Sequence, residues 1–151
     1  MSGKTFNWCF IGVGAMARTA ARQMAFTRSK SHRIVSAYSI CKDDTDRFVL
    51  WFGGKAYDTL EEAVSDENVD AVYIATPHSS HYEIAMKCIE LKKPVLIEKP
   101  FTLNFEQCQN LFDAAEKNGV FVSEAMWTWF SSIAQKVREW VATGEVGDIK
   151  H

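Results

Sequence analysis

Two charged side chains, Glu98 and Lys99, stand at the end of an apolar segment, residues 94–98 (PVLIE). A charge beside a buried strand is costly unless it is paired or used in chemistry. A lysine ammonium can hold the hydroxyl or carbonyl oxygen of a substrate and lower the pKa of a neighbouring proton donor. A structural ion pair between the two side chains, or a lysine that contacts ribose hydroxyls, explains the same pattern equally well.

A second polar cluster, residues 76–81 (TPHSSH), follows the apolar run 70–76 (DAVYIAT). Pro77 fixes a turn and ends the strand, and Ser79 or Ser80 is placed to cap the next helix. His81 then falls in the first turn of that helix, near the edge of a sheet. The sequence leaves a structural and a functional role for this histidine equally open.

Glycines at a cofactor-binding spacing follow the first apolar segment, where residues 6–11 (FNWCFI) lead into Gly12-Val13-Gly14-Ala15-Met16-Ala17. A strand, a G-x-G-x-x-A turn and a helix together cradle a dinucleotide pyrophosphate. Gly12 permits the tight turn, and Gly14 leaves no Cβ in the path of the phosphate. Ala17 lets the helix pack close to the strand, while N–H groups at the helix start, at Ala15 and Met16, face the anion.

The glycine motif by itself has two further interpretations. Glycine-rich turns also bind S-adenosylmethionine, and Lys4 with the apolar run 8–17 and its A-x-A triplet 15–17 imitates a signal peptide. The run is short and holds two glycines at the cofactor spacing, which disfavours the signal peptide. A methyltransferase is disfavoured by the sequence Glu98-Lys99-Pro100 and by the residues after the second strand.

Those residues, 38–42 (YSICK), bear on the choice of cofactor because they include no acid before Asp43. An NAD enzyme usually places Asp or Glu there to bind the ribose 2′-hydroxyl. A carboxylate would repel a 2′-phosphate, whereas the Ser39 hydroxyl and the Lys42 ammonium would accept one. We therefore expect NADP to be favoured over NAD, with a merely solvated Lys42 as the alternative.

Apolar runs and helical periodicity alternate along the chain, which predicts an α/β fold. The predicted strands are 6–11, 33–40, 55–57, 70–76, 94–98 and 120–125; the predicted helices are 15–26, 44–52, a short helix opened by the capping box 59–62, 81–91, 104–117 and 132–143. On the first helix, Arg18 is predicted to face away from the sheet. We expect a Rossmann-type, doubly wound parallel sheet whose right-handed crossovers gather the loops after the strands at one edge.

Length, charge and cysteine content narrow the class of protein. A chain of 151 residues is long enough for one domain with a substantial core, and its 17 basic and 19 acidic residues argue against a nucleic-acid partner. No apolar stretch reaches the roughly 18 to 20 residues of a membrane helix. The cysteines show no disulfide or metal-ligand spacing, which indicates reduced thiols in a cytoplasmic protein.

In combination, Gly12-x-Gly14-x-x-Ala17, Thr76-Pro77 with His81, and Glu98-Lys99-Pro100 resemble the Gfo/Idh/MocA oxidoreductases over essentially the whole chain. Residues 124–128 (EAMWT) are most similar to the branch of dimeric dihydrodiol dehydrogenase and D-xylose dehydrogenase. That branch oxidises a secondary alcohol of a sugar or cyclic diol with NADP. Trp129 is a departure, since the branch usually has arginine there.

The resemblance implies a role for each polar cluster. Lys99 would be the catalytic lysine, and Glu98 and Lys99 would lie near the nicotinamide ribose. Thr76, Pro77 and His81 would line the cofactor cleft. Met126 and Trp127 would border the nicotinamide and the substrate pocket.

In the family, a segment like 144–151 leads into a second α/β domain with an open sheet. That domain supplies most of the substrate pocket, the proton-transferring residue and the dimer interface. We therefore expect a dinucleotide-binding domain over 1–147 and, over 148–151, the start of a truncated substrate and dimerisation domain.

The expected function is that of the cofactor domain of a dehydrogenase. The complete enzyme would move a hydride between nicotinamide C4 and a secondary alcohol or ketone of a sugar, polyol or cyclic diol. A stand-alone NAD(P)-binding or sensing module is the alternative. We expect the full-length protein to be a homo-oligomer, and the isolated chain to bind cofactor with little turnover and to self-associate through exposed apolar residues such as Trp127 and Trp129.

Overall fold

The computed structural model describes residues 5–26 and 31–150, so Lys4 and His151 lie outside the described residues. Within them, one parallel sheet has the strand order β3-β2-β1-β4-β5-β6. Its strands are β1 (Phe6–Ile11), β2 (His32–Tyr38), β3 (Lys55–Ala56), β4 (Ala71–Ile74), β5 (Val95–Ile97) and β6 (Val122–Glu124). The predicted doubly wound parallel sheet is confirmed, with shorter strands because residues near several predicted ends form loops.

Helices connect consecutive strands, as a parallel sheet requires. They are α1 (Ala15–Phe26), α2 (Lys42–Phe52), α3 (Leu60–Ser65), α4 (His81–Glu90), α5 (Phe105–Asn118) and α6 (Ser132–Thr143), with short 3-10 turns at His78–Ser80 and Trp127–Phe130. The described part of the chain contains no helix long and apolar enough to cross a membrane.

One of the two predicted side-chain caps is present in the structure. The Thr59 hydroxyl accepts the N–H of Glu62 at 3.2 Å, which confirms the capping box of α3. The prediction of a serine cap on α4 is wrong for Ser80, whose side chain makes no cap bond. Its hydroxyl oxygen instead lies 2.9 Å from that of Thr76 and 2.8 Å from the Pro77 carbonyl.

Two apolar layers enclose the sheet. On one face, Phe10 and Tyr73 pack with Ala17 and Ala21 of α1 and with Phe48 of α2. On the other face, the buried residues of α3, α4 and α5 cover β1, β4 and β5. The small side chains of α1 let that helix lie close to β1, which places its N-terminus beside the glycine turn.

Candidate cofactor site

A cavity of about 750 Å³ lies at the carboxyl ends of β1, β2 and β4. The strand order reverses between β1 and β4, and open α/β sheets bind ligands at such a switch point. Its lining includes seven of the predicted cofactor-binding residues: Gly12, Gly14, Ala15, Met16, Ser39, Thr76 and Pro77.

The two glycines of the turn differ in the space around them: Gly12 is closely packed and Gly14 is open. Gly12 has a φ of +81°, and an added Cβ would lie 2.8 Å from the carbonyl oxygen of Ala75. A Cβ on Gly14 would meet nothing within 4 Å. The N–H of Arg18 donates to the Gly14 carbonyl at 3.0 Å, so the N–H groups in the preceding first turn of α1 have no partner within the helix. Open space beside free N–H donors fits an anionic phosphate.

The loop after β2 is organised by its own side chains. The Ser39 Oγ accepts from the Thr45 hydroxyl at 3.1 Å and lies 3.0 Å from the carbonyl oxygen of Cys41. Lys42 does not line the cavity, because its ammonium is hydrogen-bonded to the Asp58 carboxylate on the surface. That bond raises the pKa of Lys42. The structure thus places Ser39 in the cavity lining and directs the Lys42 side chain to the surface, although the sequence predicted that both residues bind the cofactor.

His81 lies behind the cavity wall. Its side chain is fully buried, with Nδ1 2.9 Å from the carbonyl oxygen of Pro100 and Nε2 3.0 Å from that of Thr76. Both ring nitrogens are occupied by backbone groups of two loops that follow neighbouring strands. The geometry therefore gives His81 a connecting position between those loops rather than a place in the cavity lining.

The loop after β5 is fixed on both sides of Lys99. Glu98 is buried, and its carboxylate accepts from the Tyr73 hydroxyl at 2.6 Å and from the Lys99 backbone N–H at 3.2 Å. Burial and this carboxylate raise the pKa of Tyr73. The Glu124 carboxylate accepts the Phe101 N–H at 2.8 Å. Among the described residues, Glu98 and Lys99 form no side-chain ion pair, and the exposed Lys99 side chain projects from an anchored loop.

Met126 and Trp127 follow β6, at the same edge of the sheet as Lys99. Trp127 belongs to the 3-10 turn and is 71% exposed. Glu98, Lys99 and Trp127 do not line the cavity itself. They follow β5 and β6, beyond β4 as seen from the glycine turn. The predicted cofactor residues therefore divide into a cavity group and a group at the neighbouring strand ends.

Two charged residues of the cavity were missed by the sequence-based prediction. Arg18, predicted to face away from the sheet, and Asp44 both line the cavity. The Arg18 Nε donates to the Val13 carbonyl at 3.1 Å, and a terminal nitrogen lies 3.6 Å from Asp44 Oδ1. The available signal was the position of Arg18 directly after the last residue of the glycine motif. Within the described part, no cluster of three or more His, Cys, Asp or Glu residues is arranged for a metal.

A parallel sheet with a glycine turn, an open phosphate cradle and a cavity at the switch point defines a Rossmann-type NAD(P)-binding domain. Residues 6–126 match the Gfo/Idh/MocA family model, described as an oxidoreductase family with an NAD-binding Rossmann fold. The chain belongs to this family.

Similar proteins agree with this assignment. The chain is 33% identical over 156 residues to D-xylose 1-dehydrogenase (NADP(+)) of Hypocrea jecorina, covering 96% of this chain and 40% of that protein. It is 35% identical over 148 residues to trans-1,2-dihydrobenzene-1,2-diol dehydrogenase of Macaca fascicularis, covering 95% of this chain and 43% of the relative. The chain thus spans about two fifths of the length of these relatives.

Solved structures show the same fold. GenD2 from gentamicin A biosynthesis, in complex with NAD, superposes with a TM-score of 0.87 at 23% identity, over 96% of this chain and 41% of that one. Scyllo-inositol dehydrogenase from Lactobacillus casei gives a TM-score of 0.85 at 21% identity, over 97% and 43% of the two chains.

Proposed function

We propose that this chain is the cofactor domain of an NAD(P)-dependent oxidoreductase that interconverts a secondary alcohol and a ketone of a sugar, polyol or cyclic diol. The observation that carries the proposal is the open space at Gly14, at the switch point of the sheet, beside the first N–H groups of α1, which have no partner within the helix. The relatives named for D-xylose and dihydrobenzenediol dehydrogenation support the substrate class. The nicotinamide of the bound cofactor supplies the hydride chemistry.

The residues of the cavity group bind and orient the cofactor in this proposal. Gly12 and Gly14 admit the pyrophosphate, and the N–H groups at Ala15 and Met16 bind it. Thr76 and Pro77 form the wall beside the glycine turn, where the Thr76 Cγ2 would lie 2.8 Å from a Cβ on Gly12. Because glycine has no Cβ, the loop after β4 can lie this close to the turn.

The residues after β5 and β6 act at the nicotinamide end of the cofactor, where the hydride is transferred. Lys99 holds the substrate oxygen and stabilises the negative charge that develops on it. Glu98 fixes the backbone of Lys99, and Trp127 borders the nicotinamide. The proton is transferred by a residue of the substrate domain expected beyond residue 147.

The same family assignment supports a proposal about the domain bounds, the compartment and the oligomeric state of the whole protein. We place the cofactor domain at 1–147, in a cytoplasmic, homo-oligomeric enzyme acting on a small molecule. The two buried cysteines, Cys9 and Cys88, support a reducing compartment because they pack as thiols in the core.

A titration with NADPH and NADH, followed by nicotinamide fluorescence, tests cofactor binding by the chain. We expect the wild type to bind and Gly14→Ala to lose at least about tenfold in affinity for both cofactors, since its methyl occupies the phosphate space. Circular dichroism should show an unchanged fold for Gly14→Ala, because the new Cβ would meet no atom within 4 Å beyond its neighbours in the chain. A wild-type chain that binds neither cofactor contradicts the proposal.

The role of Lys99 is testable in the full-length enzyme. We expect Lys99→Ala to lower kcat by about 100-fold or more, the scale of removing one group that stabilises developing charge. The dissociation constant of NADPH should change by less than about threefold, since the Lys99 side chain is outside the cavity. An unchanged kcat would make Lys99 structural.

A further inference from the structure

The cavity lining contains two charged side chains, Arg18 and Asp44, and both lie on the side of β2. Arg18 belongs to the first turns of α1 and Asp44 to the first turn of α2. Their side chains are 39% and 42% exposed. This end of the cavity therefore carries a cation that is accessible to a ligand.

The guanidinium of Arg18 is held at its base and open at its tip. Its Nε donates to the Val13 carbonyl, in the glycine turn, at 3.1 Å. One terminal nitrogen lies 3.6 Å from Asp44, a loose ion pair rather than a hydrogen bond. Because an arginine has five N–H donors, donors on the terminal nitrogens remain for an incoming group.

Lys42, the other cation near this end, is directed away from the cavity by its bond to Asp58. Ile40 is 98% exposed and supplies no charge. Among the residues that line the cavity, Arg18 is thus the one with a positively charged side chain. The Ser39 hydroxyl lies in the same lining.

We propose that Arg18, together with Ser39, binds the 2′-phosphate of NADP, and that Asp44 weakens this binding. The inference rests on the proposed cofactor function and names the residue that selects between the two dinucleotides. A guanidinium binds phosphate oxygens through charge-assisted, often paired hydrogen bonds. Asp44 opposes a phosphate by like charge and competes for the Arg18 guanidinium, which lies 3.6 Å from it.

The test measures dissociation constants for NADPH and NADH on the 151-residue chain with three variants. Arg18→Gln should weaken NADPH binding by about 10- to 100-fold and NADH binding by less than about threefold. Arg47→Gln is the matched control, because Arg47 is the other cation close to Asp44, at 4.0 Å, but does not line the cavity. Since exposed ion pairs contribute little, this variant should change neither constant by more than about threefold. Asp44→Asn should tighten NADPH binding several-fold without tightening NADH.

Equal losses of NADPH and NADH affinity in Arg18→Gln would overturn the inference, because they would show that Arg18 contacts a part of the dinucleotide that both cofactors share. An unchanged NADPH constant in Arg18→Gln would overturn it too. Asp44→Asn tests the proposal even if Arg18→Gln fails to fold. Weaker NADPH binding by Asp44→Asn would contradict the repulsion assigned to Asp44. A wild-type chain that binds neither dinucleotide would refute the cofactor function itself, which a change confined to NADPH cannot do.

Discussion

At the scale of single residues, the polar groups around Lys99 are anchors for its backbone. Glu98 binds the Lys99 N–H, His81 contacts the Pro100 carbonyl, and Glu124 binds the Phe101 N–H. These anchors come from the end of β5, the start of α4 and the end of β6. A loop held at three consecutive residues limits the freedom of the Lys99 backbone, which supports the catalytic role proposed for its side chain.

The sequence singled out candidate residues here, but it could not indicate their hydrogen-bond partners. The motif placed His81 near the cofactor, but its burial depends on two carbonyls, of Thr76 and Pro100, that approach only in the folded sheet. Lys42 follows β2 as expected, yet its direction is decided by Asp58, sixteen residues further along. The direction of a side chain on a loop depends on such contacts with distant residues, which the local sequence pattern does not indicate.

Cysteine reactivity provides a residue-scale test of the cavity. Cys41 is exposed in the cavity lining, whereas burial raises the pKa of Cys9 to about 12 and also raises that of Cys88. At pH 8, iodoacetamide should therefore modify Cys41 while the buried thiols stay protonated. NADPH at ten times its dissociation constant should slow the reaction of Cys41 about tenfold, because only free protein reacts.

Cys108 is the internal control for this experiment, since it is partly exposed on α5 and outside the cavity. Mass spectrometry of peptides separates the two sites. Protection of Cys108 to the same extent as Cys41, or no protection of Cys41, would contradict a cofactor bound in this cavity.

At the scale of elements, the sequence predicted each strand and α-helix of the described chain. The short helix α3 was predicted from its capping box, and the longer elements from hydrophobic patterning, because buried strands and half-buried helices have different periods. The ends were less accurate. The second strand was predicted to reach residue 40 and ends at Tyr38, since Ser39 begins a loop organised by its bonds to Cys41 and Thr45. The 3-10 turn Trp127–Phe130 was not predicted, as one turn is too short for a periodic signal.

The turn from β1 to α1 gives an element-scale prediction about stability. Gly12→Ala combines a left-handed φ with a Cβ only 2.8 Å from the Ala75 carbonyl oxygen, on the neighbouring strand end. We expect it to lower the free energy of unfolding by more than about 3 kcal/mol, the sum of backbone strain and a displaced strand end. Chemical denaturation measured by circular dichroism provides the value.

Gly119→Ala is the control that isolates the free-energy cost of placing a non-glycine residue in a left-handed backbone conformation. Gly119 ends α5 with a φ of +65°, and its Cβ would meet no atom within 4 Å. We expect a loss of about 1 kcal/mol there. Equal losses at the two positions would show that the contact with Ala75 contributes nothing.

At the scale of the whole molecule, one end of the described chain carries an unburied apolar surface. Helix α6 has no buried residue. Ile133, Val137, Trp140 and Val141 follow one another at helical spacing, and each is at least 38% exposed. Trp127, Trp129 and Phe130 of the preceding turn are 58% to 72% exposed. An amphipathic helix gains most of its stability from burying such a stripe, so this surface favours association.

We therefore predict that the 151-residue chain self-associates through this surface, with an apparent mass that rises with concentration in sedimentation velocity. Ile133→Glu combined with Val137→Glu should shift the chain towards monomer, since each carboxylate would have to be desolvated at the contact. Leu50→Glu on α2 is the matched control, because Leu50 is 80% exposed and lies on another helix. A wild type that stays monomeric at all concentrations, or a Leu50 variant that dissociates as readily as the α6 variant, would contradict an interface built on α6.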